Sequence, residues 1–374
     1  MHSELISLAR KLVSFNTMNP PGSERDCARF LGALLAEGGY DVSYYEFEER
    51  RTSLVARREG VGDRPPICFS GHLDTVPLGA AEWGVDPFAG EIVEGRLYGR
   101  GSSDMKGGIA AMVSAALSLP ARKNARAGMA LVLTAGEEKG CEGASYLAEV
   151  ENALGEAGAL VVGEPTSNYP VIGHKGALAL EMETRGITAH GSMPEQGDNA
   201  IYKAAEAVLK LRDYSFDIPP HSLLGSPTIN VGTFKGGINI NSVPDRSVAG
   251  IDIRTIPGQD NEKVLEDLQS YLGQGVTLRC ILKAGSIMSD PGDEWVQEVF
   301  GICKSFLKEE IAPKGISYFT DASVLKPALK DPPTVILGPG EPAMAHKSDE
   351  FCYTENIRVA AEVYLEIARR WCGF

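Results

Sequence analysis

Two hydrophobic periods alternate along the chain. Leu5, Ile6, Leu8, Ala9, Leu12 and Val13 recur at helical spacing, which predicts a helix over 3–14 with Ser3 as its cap. A turn at 19–24 leads into a second helical pattern with Phe30, Leu31, Leu34 and Leu35 on one face, stopped by Gly38 and Gly39. Alternation over 42–47 and 53–57 predicts strands. The runs 66–69, 130–134 and 159–162 are apolar without a break, as in strands covered on both faces. A helical pattern over 109–118 lies among them. Strands separated by helices predict an α/β fold, a mixed sheet with helices on both faces.

From about residue 175 the texture changes. The segment 177–185 alternates apolar and polar positions, as a strand with one wet face does. Further strands at 228–234, 246–254 and 276–282 and helices at 199–211 and 261–271 predict a small α+β domain of four strands and two helices. It spans 175–286. It interrupts a larger domain made of 1–174 and 287–374, where a helix at 294–307, short strands at 316–319 and 334–337 and a closing helix at 353–370 restore the first texture.

The 374 residues, 43% hydrophobic and 23% charged, are more than one core comfortably holds, which agrees with two domains. A formal net charge of −14 argues against a nucleic-acid partner. Part of it can be ligand charge that a cation neutralises. Seven scattered cysteines without a C-x-x-C pair predict free thiols in a reducing compartment. The first residues lack a basic stretch followed by an apolar one, and no run reaches the roughly 18 apolar residues of a membrane span. The expectation is a soluble, cytoplasmic protein.

Candidate chemistry gathers where the buried runs end. The run 66–69 leads into Ser70-Gly71-His72-Leu73-Asp74-Thr75-Val76-Pro77, where His72 and Asp74 leave an extended backbone by the same face. A metal-binding imidazole passes its other N–H to an acceptor, and Asp74 is placed to take it. Asp104 lies in a glycine-rich turn, Glu137 and Glu138 follow the run 130–134, Glu164 follows 159–162, and His346 sits in a late loop. Taken singly, an acid between a strand and a helix reads as a complement to the helix dipole. Together, two imidazoles and three carboxylates (His72, Asp104, Glu138, Glu164, His346) form a set that Zn²⁺, Co²⁺ or Mn²⁺ accepts. Five ligands suit two divalent ions sharing a carboxylate, with Asp104 as the shared one. Glu137 and Glu138 cannot both ligate from one tight turn, so Glu138 is assigned as ligand and Glu137 as general base and acid.

The segments SGHLDTVP, GRGSSDMKGG, GEEKG, VVGEPTS and AHKSDEF resemble, in order from residue 70 to 351, the co-catalytic zinc aminoacylase and carboxypeptidase family. Its members include acetylornithine deacetylase, succinyl-diaminopimelate desuccinylase, aminoacylase-1 and bacterial glutamate carboxypeptidase. The resemblance implies His72 and Glu164 on one metal, Glu138 and His346 on the other, and Asp104 bridging. It also implies that Asp74 orients His72, that the Asp104–Met105 peptide is cis, and that the inserted domain is a lid and dimerisation module. In that module His190 matches the family histidine that reaches a partner subunit's active site and stabilises the oxyanion. Arg254 lies where relatives bind substrate and its guanidinium suits a carboxylate, and Asn241, with Asn239 behind it, is a further candidate for the same pocket.

The turn at 320–322 reads equally as a substrate-side segment or as a helix cap. The function expected is hydrolysis of the amide of an N-acyl amino acid, with a carboxypeptidase or dipeptidase acting on short peptides as the alternative. A catalytically dead scaffold would have lost Glu137 or a ligand, and none is missing. A single-zinc hydrolase would leave two ligands idle and would carry H-E-x-x-H, which is not in the sequence.

Overall fold

A computed structural model describes residues 2–120 and 125–373. They separate into two compact units. The first runs up to Gly173 and resumes over Met288–Lys314 and from Thr320 onward; the second comprises His174–Ile287 and Gly315–Phe319. The segment 315–319, expected as a strand of the larger domain, thus clusters with the inserted one. A bond from Lys175 N to the Ile316 carbonyl, 3.0 Å, ties it there.

The first unit is built on a six-stranded sheet in the order Asp41–Glu48, Arg51–Arg58, Ala127–Thr134, Arg64–His72, Ala159–Val162, Thr334–Ile336. The first three pair antiparallel. Arg64–His72 runs parallel to both its neighbours, and Thr334–Ile336 continues the parallel set. The four adjacent strands of this parallel set therefore end on one edge, with His72 level with Thr134 and Ser70 level with Val162. Every residue of Ala127–Thr134 and Ala159–Val162 is buried, which is why those runs carry no alternation.

Helices cover them. Gly107–Ser118 and Thr354–Cys372 pack on each other and on Arg64–His72, and Glu142–Glu149 packs on Arg51–Arg58. Phe69 meets Tyr364 edge to face at 5.5 Å. Gly107–Ser118 is apolar almost all round, as a helix buried on most of its surface must be. It can lie this close because of Gly108, where a Cβ would stand 2.5 Å from the Gly163 carbonyl oxygen. The first helix begins at His2, so Ser3 lies inside it and is not its cap.

The second unit is an antiparallel sheet in the order Thr228–Gly236, Arg246–Arg254, Ala177–Arg185, Val276–Ala284. Leu178, Leu180, Met182, Ile251 and Ile253 form one face of its core, with helices Ala200–Arg212 and Asn261–Leu272 contributing Leu211, Val264 and Leu268. Asn199 and Asp260 cap these helices by accepting bonds from two backbone N–H groups each. The opposite face is polar, with Arg246 paired to Glu183 and Arg279 to Glu181. Among the described residues all seven cysteines are free, six of them buried, and no helix is long and apolar enough to cross a membrane.

Candidate metal centre and catalytic turn

Parallel strands place their chemistry at their carboxyl ends. His72 is the last residue of Arg64–His72, and its Nε2 lies 3.0 Å from Asp104 Oδ1 and 3.8 Å from Glu164 Oε1. Across Asp104, His346 Nε2 lies 3.5 Å from Oδ2 and 3.3 Å from Glu138 Oε2. Two groups of ligand atoms result, His72–Asp104–Glu164 and Asp104–Glu138–His346, each with its atoms within 4.8 Å of one another. Asp104 turns one oxygen to each. Ligands about 2.1 Å from a tetrahedral ion stand roughly 3.4 Å apart, close to these spacings. The peptide after Asp104 is cis.

The electrostatics call for cations. Burial, and then the Asp104 charge, pushes the Glu138 carboxyl up, and burial pushes Glu164 well above the usual range. Glu138 Oε1 is buried with no hydrogen-bond partner. Burial would raise Asp104 as well, but the imidazoles of His346 and His72 hold it low. Hydrogen bonds to Asp104 and Glu138 raise His346 to about 10. An orphaned buried oxygen among crowded acids and imidazoles is costly as it stands, and divalent ions would relieve it. The donor set fits two. His346 adopts a left-handed φ of 64°, uncommon for a residue with a side chain, and is 57% exposed.

Glu137 and Glu138 sit on a turn entered through Gly136, whose φ of 78° suits glycine. Asp74 holds that turn. Its Oδ1 accepts from Glu137 N at 3.0 Å, and its Oδ2 from Glu138 N at 3.3 Å and Asn19 Nδ2 at 2.9 Å. His72 Nδ1 is nearer to the Asp74 carbonyl oxygen, 2.9 Å, than to the carboxylate, 3.6 Å. The nearest acceptor to His72 Nδ1 is thus the main chain of Asp74, and the Asp74 side chain clamps the Glu137–Glu138 turn. Glu137 is buried, and desolvation drives its carboxyl well above the ordinary value.

The turn at 320–322 is capped by Thr320, whose Oγ accepts from Ala322 N at 3.1 Å. Asp321 instead accepts a bond from Thr134 Oγ and keeps its Oδ1 buried without a partner, and burial raises its carboxyl to about 6.

His190, Asn241 and Arg254 all lie in the second unit. His190 is exposed and pairs with Ser242 in a bridge. Its Nδ1 lies 2.7 Å from Ser192 Oγ and 3.2 Å from Ser192 N. Asn241 is exposed, and its carbonyl accepts from Gly191 N at 2.7 Å. Arg254 forks onto Asp252, two residues back on its own strand, at 2.8 and 3.0 Å. Sequence reasoning missed Asn19, Arg100 and Glu350, all buried and hydrogen-bonded at the site. Charged residues in loops read as solvated, and the one available signal was that Glu350 lies in a segment already singled out.

Residues 68–370 match the model of peptidase family M20/M25/M40. The chain belongs to that family. Among M20/M25/M40 relatives, a Staphylococcus aureus protein named probable succinyl-diaminopimelate desuccinylase is 30% identical over 395 aligned positions, covering 96% of this chain and 97% of its own. The acetylornithine deacetylase of Myxococcus xanthus is 31% identical, covering 92% and 91%. A solved M20 metallo-carboxypeptidase from Sulfolobus solfataricus shares the fold with a TM-score of 0.81 at 19% identity, covering 100% of this chain and 99% of that one. As a member of this peptidase family the chain is a metallohydrolase of linear amide bonds.

Proposed function

We propose that this M20/M25/M40 member removes the acyl group from an N-acyl amino acid that keeps a free carboxylate. The observation that carries the reading is the pair of ligand groups sharing Asp104, with buried Glu137 on the adjoining turn. His72, Asp104 and Glu164 would hold one divalent ion and Asp104, Glu138 and His346 the other, with Zn²⁺ the metal proposed and Co²⁺ or Mn²⁺ able to replace it. Bound there, the ions would lower the pKa of water and polarise the scissile carbonyl. Glu137, made more basic by its dry surroundings, takes a proton from the attacking water and delivers it to the leaving nitrogen.

His190 donates from Nε2 to the developing oxyanion, and Arg254, with Asn241, takes the substrate carboxylate. The relatives at 30–31% identity that cover nine-tenths of both chains are named for deacylation, while the carboxypeptidase that shares the fold is 19% identical, which favours this over peptide cleavage. Free thiols fit the cytosol.

We further propose that two copies pair through the second unit. In support, Thr228–Gly236 is an edge strand, and Tyr202, Leu209, Ile238 and Ile240 are exposed apolar residues of that unit.

Hydrolysis of N-succinyl, N-acetyl and N-formyl amino acids is compared with that of dipeptides, each with added Zn²⁺, Co²⁺ or Mn²⁺. An N-acyl amino acid should be the best substrate, and Arg254→Ala should raise its KM about tenfold or more, the loss of a charge-assisted fork. Faster turnover of dipeptides in every metal would replace the deacylase reading by the peptidase one.

A further inference from the structure

Glu350 is fully buried, yet it follows His346 by only four residues in an otherwise open loop. Its Oε1 accepts from Ser103 N at 2.8 Å and from Asp104 N at 3.0 Å. Its Oε2 accepts from Gly101 N at 2.9 Å and from Arg100 Nη1 at 2.7 Å. One carboxylate therefore fills its acceptor sites with three backbone N–H groups of a single turn and one buried guanidinium. Arg100 reaches back as well, donating to the Lys347 carbonyl at 3.1 Å, next to His346. Ser103 repeats the link: its Oγ donates to the Phe351 carbonyl at 2.6 Å and accepts from Glu341 N at 3.0 Å. The loop carrying Asp104 and the loop carrying His346 are thus joined as one block, and Glu350 is the charge at its centre. A buried acid stripped of such partners would be expensive, so the block forms as a whole or not at all.

We infer that Glu350 is a positioning residue that sets the Asp104–His346 pair of ligands and so governs occupancy of the second metal position. The inference rests on the dinuclear reading above. The remaining ligands are held differently. Asp74 grips the Glu137–Glu138 turn, and Glu164 follows its own strand, so neither depends on Glu350. Loss of Glu350 accordingly acts unevenly: the ion on Glu138 and His346 has two of its three ligands, Asp104 and His346, displaced, while the ion on His72 and Glu164 has only Asp104 displaced. Outer partners of metal ligands are typically worth 10- to 100-fold in affinity.

The experiment compares the unaltered chain with Glu350→Gln, which keeps the size but sets an amide NH₂ against N–H donors. Amide exchange is measured first in metal-free protein. In Glu350→Gln the amides of Gly101, Ser103 and Asp104 should exchange at least about tenfold faster, while the Glu137 amide, held by Asp74, is unchanged. Zinc is then titrated into both. The variant should bind the ion on Glu138 and His346 about 10- to 100-fold more weakly, and the ion on His72 and Glu164, which shares only Asp104 with the displaced block, with a clearly smaller loss.

A role in bulk stability alone would lower the melting temperature and leave the split between the two ions unmoved. Unchanged protection at 101, 103 and 104, or equal weakening of both ions, overturns the inference. Should Glu350→Gln not fold, Glu350→Asp, one methylene short with its charge kept, is put through the same comparison and should show a smaller loss on the second ion. Zinc uptake by the unaltered chain tests the dinuclear reading separately, because the exchange measurement needs no metal.

Discussion

Glu137 and His174 show how burial sets the behaviour of single side chains. In the proposed reaction Glu137 carries the proton transfers and is not a ligand. Glu137→Ala should therefore keep its metal content by elemental analysis and lose about 10²- to 10⁴-fold in kcat, the worth of a positioned base. His174 lies in the second unit, fully buried, with Nε2 unpartnered. Burial lowers its pKa from 6.5 to about 4, so the folded chain refuses a proton that the unfolded chain accepts. The stability it contributes is present above pH 6.5 and is lost as the pH falls toward 4, at most about 3 kcal/mol. Urea unfolding at pH 7 and pH 4.5 should show a smaller drop in His174→Gln than in the unaltered chain.

At this scale the sequence showed which residue types were present and in what spacing, and that was enough for the residues at strand ends. It did not show which oxygen of Asp74 meets His72, because carbonyl and carboxylate are equally near in sequence. Nor did it show that Glu350 is buried: an acid's burial depends on who supplies its donors, and those lie some 250 positions away along the chain.

Among the elements, those with long apolar periods were legible almost to their ends. Ala159–Val162 and Glu294–Leu307 have the expected bounds. The helix Glu142–Glu149 was not seen, since eight residues including Gly143 hold too few apolar positions to show a period. The strand expected at 316–319 shrank to Gly315–Ile316. What fixes the ligand elements in place is backbone contact, and Gly108 tests it. Alanine there would gain about 1 kcal/mol of helix propensity. Its Cβ would also meet the Gly163 carbonyl oxygen at 2.5 Å, and neither backbone can yield cheaply. Overpacking of this kind costs about 1–3 kcal/mol, so Gly108→Ala should melt lower than the unaltered chain. The shift should persist in metal-free protein, because the contact lies under the site and not in it.

For the whole molecule, the mixed sheet and the inserted antiparallel sheet were readable from where alternation began and ended. Strand order was not, because period says which face is buried and nothing about which strand is neighbour. The order matters: it sets Arg64–His72 between Ala127–Thr134 and Ala159–Val162, and so brings the sequence-distant Glu138 and Glu164 around His72 and Asp104.

The most direct test of the account is a zinc titration of the metal-free chain, with hydrolysis of an N-acyl amino acid followed at each step. Two ions per chain should bind, with full turnover reached only as the second is taken up. Saturation at one ion, or full turnover with none, would contradict it.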